Sequence, residues 1–159
     1  MSFAAVALAA RLVVAGAFLV AAVQKLRAWS GLTTELAGFG VPATLVAPAA
    51  VALPVAELAT AAALVVFPGS ALPAFVAIGL LALFTGAVVA NLAQGRRPPC
   101  PCFGTASAAP LSARTVLRNG WLLALAVLAT GSIAGADAWA VALWTAVLAA
   151  VTVLLLRRA

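Results

Sequence analysis

Long apolar runs, separated by short stretches rich in charge, proline or glycine, organise the whole chain. Five such runs cover residues 3–23, 43–67, 71–92, 115–131 and 138–156. Each is near the ~20 residues that a helix needs to cross a hydrocarbon core. A helix satisfies its own backbone polar groups within lipid, so the runs predict helices. The pattern predicts an all-α fold, a polytopic membrane bundle of five transmembrane helices in a single domain over residues 1–159. A loop at residues 94–113 separates the third run from the fourth. The more polar segment 30–40 carries Glu35 and predicts a short interfacial helix.

The breaks have their own chemistry. Pro42 predicts the start of the second run, and Pro54 lies in its interior, where a missing donor bends a helix. Pro68-Gly69-Ser70 predicts a tight turn that makes a hairpin of the second and third runs. Gly135-Ala136-Asp137 predicts another, with Asp137 as N-cap of the fifth run. The many alanines suit close packing of helices in lipid.

Composition supports lipid as the solvent. Of 159 residues 67% are hydrophobic and 8% charged, and the mean hydropathy is +1.25. A soluble domain of this size lacks the polar residues to cover such a surface. The formal charge of +6 comes from nine Lys/Arg against three acids. In a membrane chain these cations report orientation, so the predicted contact is membrane lipid and no nucleic acid. Histidine and tyrosine are absent. Ordinary haem ligation, histidine zinc sites, histidine bases and tyrosyl nucleophiles are thereby excluded.

The first charge, Arg11, falls inside the first run, and Lys25 and Arg27 follow that run. This is the pattern of a retained span, not of a cleaved signal peptide. Five crossings put Lys25, Arg27, Arg96, Arg97, Arg114, Arg118, Arg157 and Arg158 on one side and only Asp137 on the other. The positive-inside rule then predicts a cytoplasmic (inner) membrane protein with its N-terminus outside and its C-terminus and 94–113 loop in the cytoplasm. Trp29 and Trp121 are expected at the inner interface and Trp139 near the outer one.

Both cysteines of the chain stand in that loop, in Cys100-Pro101-Cys102-Phe103-Gly104. Three readings follow. A C-x-C disulfide closes a small, strained ring, and strained disulfides exchange readily, which suits a redox dithiol. Arg96, Arg97, Arg114, Arg118 and Lys25 are near enough in the topology to favour the reactive thiolate. Pro101 limits flexing, and Gly104 permits a turn that a side chain would forbid. Two thiolates also suit a soft ion, Cu(I) or Hg(II), which makes metal binding or transport the alternative. The third reading is a structural pair in a non-catalytic scaffold for protein maturation.

Two charges, Arg11 and Glu57, lie deep within the apolar runs, whereas Arg118 stands at the opening of the fourth. Arg11 is about eight residues into the first, and Glu57 about ten from the end of the second, so both sit ~12–15 Å from the same surface. A lone ion there is costly, which predicts an Arg11–Glu57 pair between antiparallel neighbours. Glu57 alternatively serves as a proton relay or lines a polar pocket, and Pro54 one turn earlier would help to open it. Gln24, Asn91 and Asn119 gather at the inner ends, where Asn91 and Asn119 are placed to position the cysteine loop. Arg27, Arg157 and Arg158 read as snorkelling residues.

Taken together, these residues resemble the MauE family of methylamine-utilisation membrane proteins, within the broader DoxX-like group. The likeness runs through Arg11, Gly16, Phe18 and Lys25-Leu26, then Pro54-Val-Ala-Glu57-Leu58, then Asn91 and Gly95-Arg96. It continues through Cys100-Pro-Cys102-Phe103-Gly104 and Arg118-Asn119. The resemblance implies a redox-associated membrane protein that handles disulfides with a thioredoxin-fold partner. Cys100 and Cys102 would be the redox pair, supported by Arg118, Asn119, Lys25, Asn91, Arg96, Phe103 and Gly104. A quinone as electron acceptor stays open, because no residue in the sequence identifies its site. Oxidation of outside substrates fits poorly with a cytoplasmic loop, so the resemblance suits an electron relay or a loop reached from either face.

Overall fold

The computed structural model of the protein describes residues 3–98 and 111–157. Among the described residues there are six helices and no strand. They are α1 (Phe3–Arg27), α2 (Trp29–Gly38), α3 (Ala43–Val66), α4 (Leu72–Ala93), α5 (Ala113–Leu128) and α6 (Ala138–Arg157). Cys100, Pro101, Cys102, Phe103 and Gly104 lie outside the described residues.

α1 is the central helix, packed on α3, α5 and α6, while α4 packs chiefly on α5. Its composition explains the position. Ala5, Ala7, Ala9, Ala10 and Ala22 are fully buried, and side chains this small let neighbouring backbones come close. The outer helices turn Leu72, Phe75, Leu83, Leu117 and Trp139 outward. Such an apolar exterior is what lipid solvates.

α1, α3, α4 and α6 are long and apolar enough to cross a bilayer. α5 has 16 residues, and its first two turns carry Arg114, Arg118 and Asn119, so its apolar stretch is shorter. It nevertheless runs beside the others, and Trp121 Nε1 donates to Thr152 Oγ1 on α6 at 3.1 Å. Trp121 is therefore half-buried against a helix, whereas Trp29 and Trp139 are exposed as interfacial anchors would be.

α2 is the short helix expected after the first run. Pro42 directly precedes α3, and Pro48 and Pro54 lie within it. At the Pro68–Ser70 turn, Ser70 N donates to Phe67 O at 3.1 Å. Asp137 immediately precedes α6, and its carbonyl accepts from Val141 N at 2.9 Å.

Just past α5, Gly131 meets the first turns of α1. A Cβ there would lie 2.5 Å from Phe3 Cε1 and 3.2 Å from both Ala7 Cβ and Leu128 O. The Phe3 ring can swing aside, but Ala7 and the backbone cannot. Gly131→Val is expected to lose about 1–3 kcal/mol by overpacking. Thermal unfolding in detergent checks this, and an unchanged midpoint would contradict the contact.

Candidate functional site

Lys25 and Glu57 form a buried ion pair within the bundle. Lys25 Nζ lies 2.6 Å from Glu57 Oε1, with the two side chains 4% and 1% exposed. The ammonium also rests 5.6 Å from the centroid of the Phe84 ring, within cation–π range. Glu57 Oε2 accepts no hydrogen bond among the described residues. A cavity of about 20 Å³ adjoins the pair and is lined by Glu57, Phe84, Asn119 and apolar residues of α1, α4 and α5. That volume has room for one water.

The expected Arg11–Glu57 pair is not formed, and the reason is geometric. Side chains on a helix lean toward its N-terminus. α1 and α3 are antiparallel, so Lys25 and Glu57 lean toward each other while Arg11 leans away. Arg11 donates instead to the carbonyls of Phe67 at 3.0 Å, Ser70 at 2.9 Å and Ala129 at 2.9 Å. Phe67 and Ala129 are the C-caps of α3 and α5. Helix C-termini offer orphan carbonyls and the negative end of the dipole, so the buried guanidinium needs no carboxylate.

The Lys25 end of the bundle also holds the feet of the cysteine-bearing segment. Leu111 N donates to Pro98 O at 3.3 Å, so the chain leaves α4 and re-enters α5 at one point. Leu111 is fully buried with Val88 and packs against Phe39, Leu92 and Val116. Asn91 Nδ2 donates to Phe39 O at 3.1 Å and Ala87 O at 2.9 Å, and Asn91 O accepts from Arg96 N at 2.9 Å. Asn91 thus ties the end of α4 to the corner after α2. Gly40, at φ +85°, brings that corner close to the Arg96 guanidinium.

Arg118 and Asn119 are both buried in the first turns of α5, with Arg118 Nη2 3.5 Å from Asn119 Oδ1. Arg114, one turn earlier, is exposed, so the two arginines do not share an environment. On α2, outside the membrane-crossing helices, burial pushes the Glu35 carboxyl up, against the opposing pull of Lys25. The structure therefore gathers Lys25, Glu57, Asn91, Arg118 and Asn119 at one end of the bundle and leaves Arg11 at the other. Phe39 and Phe84 complete the surroundings, and no sequence signal sets them apart from lipid-facing phenylalanines.

Apolar crossing helices around a buried ion pair, with a closed loop base above it, define a polytopic helical membrane protein. The chain belongs to the MauE family: the model described as methylamine utilisation protein MauE matches residues 3–132. The methylamine utilization protein MauE of Paracoccus denitrificans is 38% identical over 126 residues, which cover 77% of this chain and 68% of that protein. The family match takes in α1 through α5 and stops before α6. No solved structure matches the chain.

Proposed function

We propose that this protein is a membrane thiol–disulfide oxidoreductase, or electron relay, with Cys100 and Cys102 as its redox pair and a thioredoxin-fold protein as its partner. The observation that carries the reading is the foot of the cysteine-bearing segment. Pro98 and Leu111, which flank it, are joined by a hydrogen bond at an end of the bundle where Arg118 and the Lys25–Glu57 pair are buried. Cations of this kind favour the thiolate, which is the attacking species. In the step, one cysteine thiolate attacks the partner's disulfide and displaces a partner thiolate, giving a mixed disulfide. The second cysteine then attacks that bond. The partner leaves as a dithiol, carrying two electrons, and Cys100–Cys102 becomes the disulfide. The reverse sequence oxidises the partner.

The family and its Paracoccus denitrificans member carry methylamine utilisation in their names, which supports maturation of secreted proteins in such a system as the context we assign. The basic residues support an inner-membrane protein of five crossings with its N-terminus outside and this segment at the cytoplasmic face.

The test is thiol trapping in intact cells, with membrane-permeant and impermeant maleimides, on the full chain and on Cys100→Ser and Cys102→Ser. Exchange falls to background in both variants, one of them accumulates a mixed disulfide, and only the permeant reagent labels the wild type. Exchange retained at the wild-type level in both variants, or Cu(I) held stoichiometrically by a pair that never changes redox state, would overturn the redox reading. Labelling by the impermeant reagent would overturn the orientation.

A further inference from the structure

α3 packs mainly on α1, and α4 mainly on α5, which leaves a groove between α3 and α4. It measures about 410 Å³. Its walls are apolar, formed by Leu45, Leu53, Leu83 and their neighbours, and two aromatic rings, Phe39 and Phe84, face into it. Among the described residues that line it, the charged one is Lys25. The groove therefore combines a long apolar trough with a single ammonium donor, itself held by Glu57 at 2.6 Å.

From this geometry we propose that the groove binds a membrane quinone, with a ring carbonyl on Lys25 Nζ, the ring beside Phe39 and Phe84, and the isoprenoid tail along Leu45 and Leu53 toward lipid. Charge decides between this and a phospholipid. Lys25 and Glu57 together are neutral, so a phosphate drawn to this depth would bring an uncompensated charge into an apolar site. A quinone is neutral, accepts a hydrogen bond at its carbonyl, and carries the apolar tail that the trough fits.

Position supports a redox ligand. Phe39 lines the groove and also packs in the cluster that holds Leu111, at the foot of the cysteine-bearing segment. Ala87 and Phe39, both on the groove, accept from Asn91. The role of the ligand rests on the redox reading above. The Cys100 and Cys102 thiols become a disulfide, two S–H bonds break and one S–S bond forms. Two electrons and two protons pass to the quinone oxygens, giving the hydroquinone. Glu57, beside the ammonium that meets the carbonyl, is the buried group able to pass a proton there.

The test is photolabelling of the full chain in phosphatidylcholine nanodiscs by an azido-benzoquinone, competed with decylubiquinone and mapped by peptide mass. The label falls on α2–α4 peptides and is displaced saturably. Leu45→Trp and Ala49→Trp, which fill the groove, weaken competition at least about tenfold, as does the paired change Lys25→Met with Glu57→Gln. Val55→Trp, on the lipid face of α3, does not. Label spread evenly over the helices, or equal competition in groove and control variants, overturns the site. So does displacement by phosphatidylglycerol as effective as by the quinone.

Cys100→Ser/Cys102→Ser separates the site from the redox reading. The variant binds decylubiquinone normally and no longer passes electrons from dithiothreitol to it. Saturable groove labelling without any dithiol-dependent quinone reduction by the wild type sinks the redox reading and leaves the site standing. Active exchange with a thioredoxin-fold protein and no groove labelling does the reverse.

Discussion

Lys25→Met is expected to destabilise the bundle by about 3–5 kcal/mol, because it leaves the Glu57 carboxylate buried without its cation. The cost lies in the orphaned charge more than in the lost attraction. Lys25→Met combined with Glu57→Gln should therefore recover most of the stability, since neither remaining group is ionised. Glu57→Gln alone falls between them: Glu35 is near enough to Lys25 to interact with it and would partly compensate the cation. Detergent melts of the three variants establish this order. Function should not follow stability. On the proposed mechanism the paired variant lacks the ammonium assigned to favour the thiolate and the carboxyl assigned to handle protons, so thiol exchange is expected to stay low although the fold is restored. A paired variant with both wild-type stability and wild-type exchange would reduce the pair to a helix lock and remove it from the mechanism.

The helices were legible from hydropathy because lipid imposes a one-dimensional rule. A segment that must hide its backbone in hydrocarbon is a long apolar run, and runs 3–23, 43–67, 71–92, 115–131 and 138–156 became α1, α3, α4, α5 and α6 with ends shifted by a few residues. The polar segment between the first two became α2. Pairing of the buried charges was not legible, because it depends on how far α1 is displaced along α3. A continuous apolar run carries no mark of that offset. Arg11 proves level with the Phe67–Ser70 turn, and Lys25 lies ~21 Å further along α1, near the level of Glu57. The acceptors of Arg11 are backbone carbonyls, which no residue type announces. The groove was equally hidden, since it arises from which helices pack together and not from any motif. Asn91 and Asn119 were recognisable because an amide within an apolar segment needs partners, and both are buried at the end where the cysteine-bearing segment is rooted.

Arg11→Met is expected to loosen the opposite end of the bundle at a cost of about 2–4 kcal/mol, while leaving thiol chemistry intact. Three charge-assisted hydrogen bonds are lost, each ordinarily worth ~1.5–3 kcal/mol. Phe67 and Ser70 are exposed, so their carbonyls can be hydrated and the sum is not reached; Ala129 is buried, and its carbonyl has no such relief. The guanidinium matters by its shape as well as its charge. Its planar fork reaches the C-cap carbonyls of α3 and α5 and the Ser70 carbonyl in the following turn. A lysine ammonium is a compact point charge that meets fewer of them. Arg11→Lys should thus retain the favourable position at two helix C-termini and recover about half of the loss. Melting midpoints, with hydrogen exchange at the Phe67–Leu72 turn and the Ala129–Gly131 segment, measure both variants. Protection should fall at those two places together, because one side chain holds them, and remain unchanged around Asn91 and Leu111. If Arg11→Met instead abolishes exchange at the cysteines with no change in stability, Arg11 belongs to the transfer path and the division of Arg11 and Lys25 between structure and chemistry fails.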